Sequence, residues 1–171
     1  ANPILCKPLD FGAHIVIHSL TKYIGGHCNS IGGIIVDGGR FDWVANKDKF
    51  PQFNEPEPAY HGVVYSEAFE AAAFIARVRT VALRNTGAAL SPFNAFLILQ
   101  GLETLELRIQ RHCENAVKVV DYLKQHPKVE WVNFAGSAEH PHYGLAQKYI
   151  SGGIPASLLT FGVKGGFEAG V

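Results

Sequence analysis

The sequence contains no methionine, only three cysteines and no net charge. Because position 1 is not methionine, we expect the 171 residues to be an internal part of a longer protein. Cys6, Cys28 and Cys113 are an odd number of cysteines at long spacings, which argues against a disulfide scaffold and favours a reducing compartment, the cytoplasm. The 15 basic and 15 acidic residues cancel, so neither a nucleic-acid groove nor an anionic membrane surface is expected as a partner.

Long apolar runs and a secretory leader are also missing. The most apolar stretch, residues 88–102, is interrupted by proline and polar residues, so it is not predicted to cross a membrane. The first three residues show neither the basic start nor the apolar core of a signal peptide. The eight histidines lack the ligand spacing of a metal site, and no metal is predicted. By contrast, 47% hydrophobic and 18% charged residues predict a folded domain with a sizeable core.

The order of the apolar segments is typical of an α/β protein. Two short apolar runs, residues 14–18 and 31–36, predict strands. Because their apolar residues are continuous rather than alternating, we expect a sheet that is covered on both faces. Residues 51–61 contain three prolines and predict an irregular loop.

Two long helices are predicted in the middle of the chain. The first covers residues 66–85, which start with serine and glutamate and are followed closely by glycine. The second covers residues 92–125, which start after a serine-proline pair and keep one apolar face as far as a histidine-proline pair. Beyond it, strands are predicted at residues 129–134 and 158–163, with a short helix at Tyr143–Tyr149.

A lysine preceded by two hydroxyl residues follows the first predicted strand. Ser19, Thr21 and Lys22 lie at the carboxyl end of that strand, where open α/β sheets place their ligands. A lysine in such a position can be partly desolvated, so that its amine becomes a nucleophile able to form a Schiff base. The two hydroxyls, with backbone N–H groups of the glycine-rich segment that follows, are suited to bind a phosphate. On spacing alone, a solvated lysine in a turn is the more frequent alternative.

Longer motifs around Lys22 resemble a known enzyme family. Residues 18–27 read HSLTKYIGGH, which resembles the lysine motif of the Cys/Met-metabolism enzymes that use pyridoxal phosphate. Residues 29–37 and 41–43 read NSIGGIIVD and FDW, which resemble the O-acetylhomoserine sulfhydrylases rather than the cystathionine synthases or methionine lyases. Further similar segments are residues 90–96, 100–105 and 111–112. The resemblance covers essentially the whole chain and implies part of an α/β, fold-type I (aspartate-aminotransferase-like) transferase.

The resemblance implies specific roles for the residues of the motif. Lys22 would bind pyridoxal phosphate through a Schiff base and then move protons as a base, while Ser19 and Thr21 would bind the cofactor phosphate. The implied reaction is a γ-replacement of methionine and cysteine biosynthesis (transsulfuration), in which O-acetyl-L-homoserine and sulfide give L-homocysteine and acetate. The alternatives are an activity of the cystathionine γ-synthase or methionine γ-lyase type, or an inactive fragment of such an enzyme.

The resemblance also implies a domain division and partners. Residues 1–108 would be the C-terminal part of the cofactor-binding large domain with its connecting helices, and residues 109–171 the start of the C-terminal small domain. Groups that bind the pyridinium nitrogen and the substrate carboxylate would lie outside this chain, so the isolated 171-residue chain is expected to be inactive. The expected partners are a small amino-acid substrate, sulfide, and copies or complementing fragments of the same protein in a homotetramer.

Overall fold

The computed structural model describes residues 3–150 and 156–170. They belong to two compact units, each built from separate chain segments. The first unit comprises Ala1–Lys7, Lys22–His27 and Leu99–Val171, and the second comprises Pro8–Thr21 and Cys28–Ile98. The expected domain boundary after residue 108 concerns the longer protein and stays a prediction.

The second unit contains a two-stranded antiparallel sheet. After a 3₁₀ turn at Pro8–Phe11, β1 (Ile15–Ser19) pairs with β2 (Gly33–Asp37). Both predicted strands are confirmed, but the expected cover on both faces is absent from the described part of the chain. Ile17 is 73% exposed and Ile34 44% exposed, and these residues lie on opposite faces of the sheet. Apolar residues on both faces of a sheet predict that both faces are covered by other parts of the protein, but the described residues do not cover them.

Short helices form much of the rest of the second unit. They are α1 (Pro51–Asn54), α2 (Tyr65–Ala68), α3 (Ala73–Arg77) and α4 (Arg84–Thr86), with 3₁₀ turns at Pro58–Tyr60 and Glu70–Ala72 and a π-helical segment at Val78–Leu83. The predicted irregular loop at residues 51–61 is wrong, because Pro51 and Pro58 each begin a helical turn. Proline fits there, since the first N–H of a helix has no intrahelical partner.

The predicted helix at residues 66–85 is present but interrupted. It begins one residue earlier than predicted, at Tyr65, and breaks near Glu70, whose φ is +45°. The predicted stop at Gly87 is confirmed by its left-handed φ of +67°, a conformation that glycine adopts without steric cost. Local propensity therefore located the helical region but not its internal break.

Aromatic side chains around Trp43 form the core of the second unit. The Trp43 ring stacks on Phe53, with centroids 4.0 Å apart, and lies 6.1 Å from Phe74. Tyr65 is completely buried in the same cluster. The Arg77 guanidinium lies 5.7 Å from the Phe53 ring and 5.8 Å from the Tyr65 ring, which adds cation–π attraction to the packing.

The second predicted long helix is two helices in the structure. In α5 (Pro92–Glu103) the Ser91 hydroxyl accepts a hydrogen bond from the Asn94 N–H at 3.2 Å, which confirms the predicted start. The chain breaks at Thr104 and continues as α6 (Leu105–Gln125). The buried residues of α6 recur every three or four positions, as a helix with one apolar face requires: Leu105, Ile109, Cys113, Ala116 and Val120.

The C-terminal part of the first unit packs a small sheet against α6. β3 (Val129–Asn133) pairs antiparallel with β4 (Thr160–Val163), and Phe134 packs in the core against α6. Two short helices, α7 (Tyr143–Tyr149) and α8 (Gly166–Gly170), complete the described chain, and α7 has the predicted bounds. No helix in the described ranges is long and apolar enough to span a bilayer.

Candidate active site

Lys22 lies in a tight turn directly after β1. The Leu20–Ile24 segment is a π-helical turn that is interrupted at Lys22, whose backbone has φ −94° and ψ −124°. The Gly26 N–H donates to the Lys22 carbonyl oxygen at 2.8 Å and closes the turn. The Lys22 side chain is exposed, and no group among the described residues pairs with its amine. The expected partial burial of Lys22 is therefore not seen, and its amine is open to a reagent.

The two predicted phosphate-binding hydroxyls differ in their surroundings. Ser19 is the last residue of β1, and its side chain is exposed. The Thr21 hydroxyl accepts from the Gly32 N–H at 3.0 Å and donates to the Gly32 carbonyl at 3.3 Å. Thr21 therefore holds the start of β2 in place, and its 3.3 Å donation is long enough to be a weak hydrogen bond.

Sequence reasoning missed the arginine that holds the chain after Lys22. The Arg108 guanidinium donates to the Tyr23 carbonyl at 2.8 Å, the Ile24 carbonyl at 3.3 Å and the Gly101 carbonyl at 2.6 Å. Its Nε also donates to the Thr104 hydroxyl at 3.0 Å. Arg108 is 85 positions from Tyr23, so no local pattern signals the contact.

Two glycines make room for this contact. A Cβ atom on Gly101 would overlap the Gly25 carbonyl, lying 2.6 Å from its carbon. A Cβ on Gly26 would lie 2.6 Å from the Arg108 Cζ, and Gly26 also has a φ of +72°. Both positions therefore require a residue without a side chain.

Other polar features of the described residues include a pocket, possible metal ligands and thiols. A pocket of about 240 Å³ in the second unit is lined in part by Arg40, Asp42 and Glu70. Within residues 3–150 and 156–170, no three His, Cys, Asp or Glu side chains are placed to hold a metal ion. Cys6, Cys28 and Cys113 are free thiols.

In the part of the chain that the structure describes, two side chains have shifted pKa values, and neither is a predicted site residue. Burial raises the pKa of the Cys113 thiol above its ordinary value, and the neighbouring Glu114 carboxylate raises it further. The hydrogen bond from Lys124 lowers the pKa of the exposed Glu139 carboxyl. Both shifts follow from local burial and pairing.

The fold agrees with that of a known protein. The described chain is α/β, and it superposes with a TM-score of 0.86 on a crystal structure described as an O-acetylhomoserine (thiol)-lyase from Campylobacter jejuni, at 37% identity. That structure contains N'-pyridoxyl-lysine-5'-monophosphate. The match covers 96% of this chain and 39% of the other. The architecture is therefore that of a fold-type I transferase that uses pyridoxal phosphate, present in part.

The family follows from the sequence match. The model of the Cys/Met metabolism PLP-dependent enzymes matches residues 1–170, and the chain belongs to this family. It is 52% identical over 162 residues to a homocysteine synthase from Schizosaccharomyces pombe, covering 95% of this chain and 38% of the relative. It is 49% identical over 175 residues to an O-acetyl-L-homoserine sulfhydrylase from Leptospira meyeri, covering 98% of this chain and 39% of the relative. The chain thus spans less than two fifths of the length of these relatives.

The residues present fit part of a pyridoxal phosphate site. The Lys22 amine, which is exposed and has no partner among the described residues, has the chemistry needed to attack an aldehyde carbon. Ser19 and Thr21 supply neutral hydroxyls, and Ser19 is exposed. The Gly26 N–H, which was expected to help with the phosphate, is instead used inside the Lys22 turn. The described chain therefore contains a candidate covalent attachment point and two candidate phosphate ligands.

Proposed function

We propose that the protein carrying this chain replaces the acetate of O-acetyl-L-homoserine with sulfide and releases L-homocysteine and acetate. The observation that carries the proposal is the exposed amine of Lys22 in the turn after β1, with which no described group pairs. It occurs in a member of a pyridoxal-phosphate-dependent family. Relatives named homocysteine synthase and O-acetyl-L-homoserine sulfhydrylase share about half of its residues.

Lys22 performs two tasks in this proposal. Its Nζ holds the cofactor by a covalent bond, and after the substrate amine displaces it, the same nitrogen takes a proton from the substrate Cα. Because the Lys22 side chain is exposed and no described group pairs with its amine, its Nζ is also free to take a proton from Cβ and, once sulfide has added at Cγ, to return protons to Cβ and Cα. When bound, pyridoxal phosphate supplies the electron sink for the carbanion.

Ser19 and Thr21 bind the cofactor phosphate in the proposal. Ser19 offers an exposed hydroxyl at the strand end. To donate to the phosphate, the Thr21 hydroxyl turns its proton away from the Gly32 carbonyl and gives up a long, weak hydrogen bond of 3.3 Å. Its oxygen then still accepts from the Gly32 N–H at 3.0 Å, so the start of β2 keeps its anchor.

The oligomeric state of the protein and its cellular compartment are part of the same proposal. Large apolar side chains on α5 are exposed, among them Phe93 at 68% and Phe96 at 54%. Exposed apolar surface of this kind is suited to contact further chain or further copies, which supports the predicted homotetramer. The three free thiols support a reducing compartment such as the cytoplasm.

The test uses the protein at its full encoded length. We expect homocysteine to form from O-acetyl-L-homoserine and sulfide, and Lys22→Ala to lower turnover by about a thousandfold or more, as the loss of a nucleophile does. Lys118→Ala is the matched control, because Lys118 is exposed on α6 and belongs to neither predicted role. Full turnover by Lys22→Ala would contradict the proposal.

The same assay separates the alternatives. Cystathionine formed from cysteine, without homocysteine from sulfide, would identify a cystathionine γ-synthase activity, and breakdown of methionine would identify a γ-lyase. Because two relatives are named homocysteine/cysteine synthase, cysteine formation is measured alongside. The isolated 171-residue chain is expected to show no turnover, and homocysteine formed by it alone would contradict that expectation.

A further inference from the structure

The chain that follows Lys22 is held by one side chain from α6. Arg108 binds the carbonyl oxygens of Tyr23 and Ile24 next to the junction between α5 and α6. The Lys22 carbonyl itself accepts from the Gly26 N–H at 2.8 Å. One hydrogen bond therefore joins the two ends of the turn and Arg108 holds the carbonyls between them, while the Lys22 side chain remains exposed.

Arg108 joins this turn to the end of α5. The same guanidinium nitrogen that binds Ile24 also donates to the Gly101 carbonyl at 2.6 Å, in the last turn of α5. Carbonyls at a helix C-terminus lack intrahelical donors and carry partial negative charge, so a cation is favourable there. The Nε–Thr104 hydrogen bond of 3.0 Å fixes the plane of the guanidinium at the helix break.

These contacts require the planar guanidinium group of an arginine. Its donors reach four acceptors at once, on Tyr23, Ile24, Gly101 and Thr104. A lysine keeps the charge but presents a single nitrogen, which cannot reach acceptors on both sides of the junction. The contact is also tightly enclosed, since a Cβ on Gly26 would lie 2.6 Å from the Arg108 Cζ.

A second contact from α6 lies one helical turn further on. The His112 ring lies 5.4 Å from the Tyr23 ring, centroid to centroid. Residues 108 and 112 are four apart and therefore lie on the same face of the helix. Two residues on one face of α6 thus contact both the backbone and the side chain of Tyr23, the residue that follows Lys22.

We propose that Arg108 is a positioning residue for Lys22, which fixes the turn so that the Lys22 amine is presented in one place. This inference rests on the proposed function, because it assigns Arg108 a role only through Lys22. A displacement of about 1 Å at a reacting group can lower a rate by about a hundredfold. A turn released from Arg108 is expected to leave Lys22 chemically competent but poorly placed.

The first test measures the turn without any cofactor. Hydrogen–deuterium exchange is followed in residues 22–27 of the cofactor-free, full-length protein, for wild type, Arg108→Met, Arg108→Lys and Lys118→Met. We expect exchange in this segment, including the Gly26 amide, to be about tenfold or more faster in both Arg108 variants. Lys118→Met removes an exposed cation from the same helix and should match the wild type. Unchanged exchange in the Arg108 variants would overturn the proposal.

The second test measures catalysis and cofactor attachment in the loaded protein. We expect both Arg108 variants to retain the cofactor on Lys22 after borohydride reduction, and kcat to fall about tenfold or more with little change in KM. A purely structural role would lower the folded fraction and leave kcat per cofactor-loaded site unchanged, and that result would overturn the proposal. Arg108→Lys keeps the positive charge at the end of α5, so it decides the question if Arg108→Met does not fold.

The two proposals fail in different ways. Wild-type protein without cofactor on Lys22 would overturn the proposed function and, with it, the role of Arg108. Wild-type protein with cofactor on Lys22, combined with wild-type exchange and wild-type kcat in Arg108→Lys, would overturn the role of Arg108 alone.

Discussion

Replacing Gly101 with alanine tests whether the contact between α5 and the Lys22 turn is as close as the structure shows. Gly101 lies in the last turn of α5, where alanine alone would favour the helix by about 1 kcal/mol. The new Cβ, however, would overlap the Gly25 carbonyl and lie 2.9 Å from the Gly25 Cα. Overpacking typically costs about 1–3 kcal/mol. The atoms met here are backbone, which cannot rotate away, so the upper half of that range applies.

The expected net effect is therefore a loss of about 1–2 kcal/mol, the overpacking cost less the helix gain. Gly144→Ala in α7 is the matched control, because a Cβ on Gly144 meets no atom within 4 Å, and it should stabilise by up to about 1 kcal/mol. Thermal midpoints of the full-length variants are compared, with hydrogen exchange of residues 22–27 as the local readout. If Gly101→Ala melted at or above the midpoint of Gly144→Ala, the close contact would be refuted.

Three further predictions concern the Tyr65 hydrogen bond and the cysteine thiols. Thr80 donates its only hydroxyl proton to the Ala76 carbonyl, so the Tyr65 hydroxyl is the donor to Thr80. Tyr65→Phe should therefore lower the free energy of unfolding in urea by about 1 kcal/mol, and an unchanged midpoint would contradict this. Iodoacetamide should modify the exposed Cys28 and spare Cys113, which is 1% exposed, as mass spectrometry would show; equal rates would contradict it. Because the Cys113 pKa is raised, the folded state keeps the thiol proton at pH values where the unfolded state loses it. Stability relative to Cys113→Val should therefore fall as the pH rises above about 8.5, the ordinary thiol pKa, and a constant difference would contradict the assigned burial.

Features with a local physical cause could be predicted from the sequence. The apolar run at residues 14–18 became β1, shifted by one residue, and Tyr143–Tyr149 became a helix with the predicted bounds. The serine and proline at positions 91 and 92 began α5 as expected. In each case the signal lies within a few residues of the element that it specifies.

Features set by distant contacts could not be predicted. The break at Thr104 interrupts a continuous helical pattern, and its side chain is held by Arg108. The requirement for glycine at position 101 comes from Gly25, a backbone neighbour that is far away in sequence. The lysine motif located Lys22, but the residues that hold its turn emerge only once tertiary contacts are known. Propensity and periodicity carry no signal for a hydrogen bond between residues 85 positions apart.

The attachment point of the cofactor is the central claim, and peptide mapping tests it most directly. The full-length protein would be saturated with pyridoxal phosphate, reduced with borohydride, digested and analysed by mass spectrometry, with Lys22→Ala treated in parallel. The account predicts the added cofactor mass on the peptide containing Lys22 and its absence from the variant. A protein that binds the cofactor but carries the reduced mass on another lysine, or on none, would contradict the account.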